Sequence, residues 1–200
     1  MARVRSFKPI AGPDAKVLIL GSMPGRASLA AGEYYAHPRN AFWPIVAELL
    51  GIDPASRYKA RVQALRSARI ALWDVLKSCA RQGSLDAMIE EDTLLVNDFR
   101  AFFSSHGKIR RVYFNGTKAE ACYKRHVLPD LDSGPMEYSR LPSTSPANAS
   151  SSFFQKRHAW RVILRAGDQR TSSMKATSSQ RPNLKPTSRR IPACLKPKRC

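Results

Sequence analysis

Short apolar runs, each stopped by Gly, Pro or Asn, punctuate the first 164 residues and alternate with stretches of helical periodicity. Ala15–Gly21 is branched-apolar and closed by glycine, and reads as a first strand. Asn40–Leu50 places Phe42, Ile45, Val46 and Leu49 on one helical face, with Pro44 tolerable in the first turn. Ser56–Ala68 alternates basic and apolar residues at helical spacing. Ile70–Val75 predicts a second strand, carrying Asp74 at its end. Asp92–His106 predicts an amphipathic helix with Leu94, Leu95, Phe99, Phe102 and Phe103 inward. Lys108–Asn115 predicts a third strand, Lys118–Val127 a helix, Met136–Pro142 a fourth strand and Phe153–Leu164 a closing helix.

Strands alternating with helices imply a mainly parallel sheet covered on both faces. In such sheets ligands sit beyond the carboxyl ends of the strands. Three predicted strands end in small, polar or kinked residues: Gly21-Ser22-Met23-Pro24-Gly25, Asn115-Gly116 and Pro142-Ser143-Thr144-Ser145-Pro146. The pattern predicts one site assembled from distant parts of the chain.

Composition changes the picture at two points. The 200 residues suit one domain with a full core, but Lys and Arg outnumber Asp and Glu by 34 to 15, a net charge of +19. Such an excess attracts polyanions, so nucleic acid or an anionic membrane surface heads the partners. From Arg165 to Cys200 there are ten Lys or Arg and one acid, Asp168; the other +10 belongs to residues 1–164, which are therefore basic in their own right. The segment after Leu164 changes character, with no aromatic residue and many Ser, Thr, Pro and basic positions. It predicts a disordered basic tail over 165–200, either a genuine arm or the product of a shifted reading frame.

No run approaches the roughly 20 apolar residues of a membrane span, and the basic N-terminus has no apolar signal-peptide core behind it. The four cysteines, Cys79, Cys122, Cys194 and Cys200, lack CxxC or Cys/His spacing, which predicts no metal site and reduced thiols in a cytoplasmic, nucleoid-associated setting. A GxxxxGK[ST] loop, a carboxylate cluster and a GxSxG elbow are absent, which argues against an unrelated α/β hydrolase acting on nucleotides.

Five ordered segments carry a resemblance: GSMPG, YYAHPRNAFW, the LWDVL run at Leu72–Leu76, YFNG and LPSTSPANA. Together they resemble the hypoxanthine-DNA glycosylase branch of the uracil-DNA glycosylase superfamily, over residues 10–164. The resemblance implies a three-layer α/β/α fold around a four-stranded sheet. It also implies a monofunctional enzyme that hydrolyses the N-glycosidic bond of hypoxanthine, and of uracil as an alternative base, in double-stranded DNA. No cofactor is implied, and one lesion engaged from one face predicts a monomer. The rival reading is a non-catalytic DNA-binding module of the same fold.

Such an enzyme flips a nucleotide, holds the base, stabilises an oxocarbenium-like sugar and delivers water. The resemblance assigns the water to Asn40, whose amide offers both an acceptor and donors; as plain geometry Asn40 also fits a helix cap. The strand-end loop, which carries an Asp or Asn in other branches, has neither here. Gly21, Met23 and Gly25 would let backbone amides approach a base or phosphate, and Ser22 could hold water or base. Asn115 occupies the place where the superfamily reads the base by an amide, although Asn-Gly is also a common turn. Phe42 resembles the aromatic on which the base stacks, or is simply core. Pro142, Ser143, Thr144 and Ser145 form the expected DNA-penetrating loop. His37, Arg39 and Lys118 could meet phosphate, and Asp74 could support the site from the second strand's end.

Overall fold

The computed structural model describes residues 3–131 and 135–164; the predicted basic tail at 165–200 lies outside them. The chain opens with a short strand, β1 (Arg3–Arg5), then the buried strand β2 (Val17–Gly21). Helices α1 (Arg26–Ala31), α2 (Phe42–Leu50) and α3 (Tyr58–Ser67) follow, then β3 (Ile70–Asp74) and, after one residue, β4 (Leu76–Ala80). Next come β5 (Leu95–Val96), α4 (Phe99–Ser105), β6 (Arg111–Asn115), α5 (Thr117–His126), β7 (Glu137–Leu141) and α6 (Phe153–Trp160).

Four of these strands form one parallel sheet in the order β3-β2-β6-β7. Because successive residues of a strand face opposite sides, the two faces separate cleanly. Val17, Ile19, Ile70, Leu72 and Tyr113 pack with Phe42, Trp43, Ile45 and Val46 of α2, Leu65 of α3 and Trp160 of α6. Leu18, Leu20, Ala71, Trp73, Val112 and Phe114 pack with Phe99 and Phe102 of α4 and with Cys122 and Tyr123 of α5. This is the predicted three-layer α/β/α arrangement. From β2 the chain passes to β3 on one side and later to β6 on the other, so the switch point lies between β2 and β6.

A second, three-stranded sheet in the order β1-β4-β5 was not predicted. The Leu72–Leu76 run divides between the two sheets: Val75 N–H bonds Gly21 O, and β4 then turns away to pair antiparallel with β1 and β5. The predicted helix Asp92–His106 is also shorter than expected. Its first part forms a 3-10 turn (Glu91–Thr93) and β5, and α4 starts only after Asp98, whose Oδ1 accepts from Ala101 N at 2.9 Å. A good N-cap thus starts the helix seven residues late, and Leu95, expected inward, is exposed.

Candidate active site

Beyond the carboxyl ends of the four parallel strands lies a cleft of about 990 Å³. Gly21–Gly25 from the end of β2, Asp74 from β3, Asn115–Lys118 from β6 and Arg140–Asn148 from β7 line it, with Tyr34, Tyr35, His37 and Asn40 between α1 and α2. The structure therefore brings Asn40, Gly21, Ser22, Met23, Asn115 and Pro142–Ser145 to one cleft. Arg39 and Phe42 are not among the lining residues.

Asn40 sits in the turn ahead of α2. Its Oδ1 accepts from Phe42 N at 3.0 Å, and its own N–H bonds His37 O at 2.8 Å. It thus caps the helix and faces the cleft at once. The cap fixes the amide plane while leaving its N–H₂ donors and a second lone pair on Oδ1 for a ligand.

Asn115 has two contacts that the sequence does not foretell. Its Nδ2 donates to Thr144 Oγ1 at 2.8 Å, and its Oδ1 accepts from Thr144 N at 2.8 Å. Thr144 is fully buried, and its carbonyl accepts from Ala41 N at 3.0 Å. The β7-end loop is therefore clamped to β6 on one side and to the Asn40 turn on the other. Trp160 Nε1 holds Pro142 O at 3.0 Å, Asn148 Nδ2 holds Ser143 O at 3.0 Å, and Lys156 Nζ holds Asn148 O at 2.7 Å. Pro146 and Ala147 are left exposed at the loop's tip, with Ser143 and Ser145 half-buried beside it.

Phe42 is withdrawn from the cleft. It is fully buried, with Tyr35 stacked on it at a centroid distance of 4.1 Å and Trp43 and Trp160 edge-on. The phenol rings that line the cleft are Tyr34 and Tyr35, and Tyr35 is the one stacked on Phe42. A Tyr-Tyr pair in a loop was the only sequence signal for them.

The loop after β2 is braced from below. Ser22 Oγ lies 2.7 and 2.8 Å from the two carboxylate oxygens of Asp86, which sits on a 3-10 turn (Asp86–Met88). Arg81, also buried, donates from Nη2 to Pro24 O at 2.5 Å. Burial pushes the Asp86 carboxyl up, while the Ser22 hydroxyl and the Arg81 charge pull it down. Lys118, a candidate for phosphate contact, is paired with Glu91, and Arg140 pairs with Glu120 at 3.2 Å.

Asp74 is the functional candidate that sequence reasoning underused. It is 3% exposed and lines the cleft, and its Oδ2 has no hydrogen-bond partner. Burial, reinforced by the Asp86 charge and opposed by Arg81, pushes its carboxyl up to about 8. The available signal was an acid set inside the apolar run Leu72-Trp73-Asp74-Val75-Leu76.

These features define an open α/β protein with a rigid polar cleft at its sheet's carboxyl edge and a clamped loop on the cleft's rim. The chain belongs to the uracil DNA glycosylase superfamily, whose family model matches residues 9–164. It is 33% identical over 163 residues to a hypoxanthine DNA glycosylase of Methanosarcina acetivorans, covering 80% of this chain and 98% of that one. A hypoxanthine DNA glycosylase of Methanosarcina barkeri is 35% identical over 116 residues, 58% of this chain and 72% of that one. The fold is similar to the solution NMR structure of a candidate uracil DNA glycosylase from Methanosarcina acetivorans, with a TM-score of 0.70 and 31% identity. That match covers 84% of this chain and all of the other.

Proposed function

We propose that this chain is a monofunctional DNA glycosylase that releases hypoxanthine from deoxyinosine in double-stranded DNA, with uracil as a second base, in base-excision repair. The observation that carries this reading is Asn40, pinned by its bond to Phe42 N on the wall of a cleft where the strand ends converge. Two relatives named for hypoxanthine release support the choice of base.

The geometry suits hydrolysis of a flipped nucleotide. Asn40 holds a water by its free amide hydrogens and remaining lone pair, aimed at the anomeric carbon. Water oxygen bonds to that carbon as the C–N bond breaks, the electron pair leaves with the base, and the water's proton passes to the departing base or solvent. The Gly21–Gly25 backbone lets the base lie close to the sheet edge. The loop at Pro142–Ser145 fills the vacated stack through its exposed tip at Pro146 and Ala147 and bonds phosphate through Ser143 and Ser145. Thr144 acts inside the loop. The basic body of residues 3–164 supplies attraction to the backbone. The protein acts as a monomer, as a glycosylase domain over 1–164 with a basic tail at 165–200, at the nucleoid in the cytoplasm. No helix among the described residues is long and apolar enough to cross a membrane.

The test is base release from duplexes carrying one deoxyinosine or one deoxyuridine, with wild type and Asn40→Ala. Release of hypoxanthine by wild type, reduced by about 100-fold or more in Asn40→Ala with DNA binding retained, supports the assignment. Tight DNA binding without release of either base overturns the enzyme and leaves a DNA-binding module.

A further inference from the structure

Water delivery and base holding leave two groups at the floor of the cleft without a task. Asp74 ends β3, and Tyr35 stands on the loop before α2; Asp74 Oδ2 and the Tyr35 hydroxyl are both buried without a hydrogen-bond partner. A buried polar atom left unpaired costs about 1–3 kcal/mol, so two on one cleft wall mark a place that a ligand completes. Gly21 shows how closely they converge. A Cβ at that position would lie 2.5 Å from Asp74 Oδ1 and 2.9 Å from the Tyr35 oxygen. Glycine is what keeps the space between them open at the strand end where the base is held.

We propose that Asp74 and Tyr35 are a pair of O–H donors to the exocyclic oxygen of the departing base, stabilising the charge that collects there as the glycosidic bond breaks. The proposal rests on the glycosylase reading. When the C–N bond breaks heterolytically, the electron pair passes into the base, whose carbonyl oxygen takes part of the negative charge. Hypoxanthine and uracil each carry such an oxygen beside a ring N–H. Preorganised donors in a water-poor site act on charge that exists only in the transition state. The protons stay on Asp74 and Tyr35; they are shared, not transferred.

The surroundings keep both groups neutral. Tyr35 packs on Phe42; burial and then carboxylate charge at Asp74 push its hydroxyl up, opposed by the Asn115 side chain beside it. The groups facing Asp74 are Tyr34 and Tyr35 ahead of α2, Tyr58 on α3, Asp86 on its 3-10 turn and Arg81 beyond β4. Asn97 donates to the Asp74 backbone carbonyl at 2.8 Å and leaves the carboxyl alone. Arg81 is the one cation in this group, and it is turned to Pro24 O and balanced by Asp86. A carboxyl held protonated to about pH 8 is an acid donor at neutral pH.

The experiment is single-turnover base release from the deoxyinosine duplex between pH 6 and 9.5, with wild type, Asp74→Asn, Asp74→Ala and Tyr35→Phe. Asp74→Asn keeps a donor that cannot ionise. Dividing its rates by those of wild type cancels ionisation of the base's own N–H, which both enzymes share. The expected result is a ratio that is flat below pH 8 and then rises about tenfold per pH unit. Tyr35→Phe should slow release about tenfold or more and Asp74→Ala about 100-fold, both with unchanged DNA binding. A ratio flat across the whole range, or rates of Asp74→Ala and Tyr35→Phe within twofold of wild type, overturns the proposal and leaves the glycosylase reading intact. Failure of wild type to release either base removes both.

Discussion

The clamp between Asn115 and Thr144 separates two ways in which an amide at the end of β6 can serve catalysis. Asn115→Ala deletes two bonds of 2.8 Å. Thr144 is fully buried, so its backbone N–H is stranded without water, at a cost of about 1–3 kcal/mol; the lost bond to Oγ1 adds about 1 kcal/mol. The expected loss is therefore about 2–4 kcal/mol in urea unfolding followed by circular dichroism. Thr144→Val keeps the shape but removes only the Oγ1 bond, at about 1 kcal/mol. If Asn115 acts by holding the loop, both variants slow base release in proportion to their loosening of it, seen as faster proteolysis at 146–150. An Asn115→Ala protein within about 0.5 kcal/mol of wild type would refute the clamp. So would a base-release defect in Asn115→Ala unmatched by any change in proteolysis, since that pattern belongs to an amide that touches the base itself.

Gly21→Ala should cost about 1–3 kcal/mol, because its methyl meets Asp74 Oδ1 and the Tyr35 hydroxyl, and should abolish base release; thermal unfolding and the duplex assay check both. Phe42→Ala should cost about 3–5 kcal/mol in urea unfolding, since the ring is core, and milder Phe42→Leu should leave affinity for the lesion duplex nearly unchanged if the ring stacks on protein alone. Asp74 also gives stability a pH dependence. Its folded carboxyl holds its proton to about 8 while the unfolded one ionises near 3.8, so the folded state binds more protons between these values. Stability from this group is greatest below pH 4 and declines as pH rises towards 8; Asp74→Asn should flatten that decline in unfolding midpoints measured from pH 5 to 9.

The sheet was legible because its four strands are buried on both faces and so spell unbroken apolar runs such as Val17–Leu20, while Gly21, Asn115 and Pro142 mark their ends. The second sheet was not. Arg3-Val4-Arg5 is too short and too charged to read as a strand, and β4, Leu76-Lys77-Ser78-Cys79-Ala80, directly continues the apolar run of β3 without a turn residue. Asn40 was legible together with its local bond at the start of α2. Ser22 and Asn115 were legible as residues, but their partners were not, since Asp86 and Thr144 lie 64 and 29 positions away in sequence and only the fold makes them neighbours. Phe42 carried two readings, and its place on the Ile45 and Val46 face of α2 favours the core. Asp74 was visible in an apolar run, yet its meaning depends on the burial and the Asp86 charge around it.

The N-terminal residues before β2 guard the sheet's most vulnerable border. Strand β3 is an edge strand, and its sequence Ile-Ala-Leu-Trp-Asp is nearly all apolar. Ile10 bonds both backbone groups of Leu72, at 2.8 and 2.9 Å, and Phe7 O takes the Trp73 indole N–H at 3.1 Å. The opposite edge, β7, protects itself with Glu137 and Arg140 exposed along it. Cutting the chain after Ile10 would leave every cleft residue in place but bare an adhesive strand able to recruit β3 of another molecule. Residues 7–10 thus act as a built-in solubility cover, and shortened chains that lack them should be expected to aggregate.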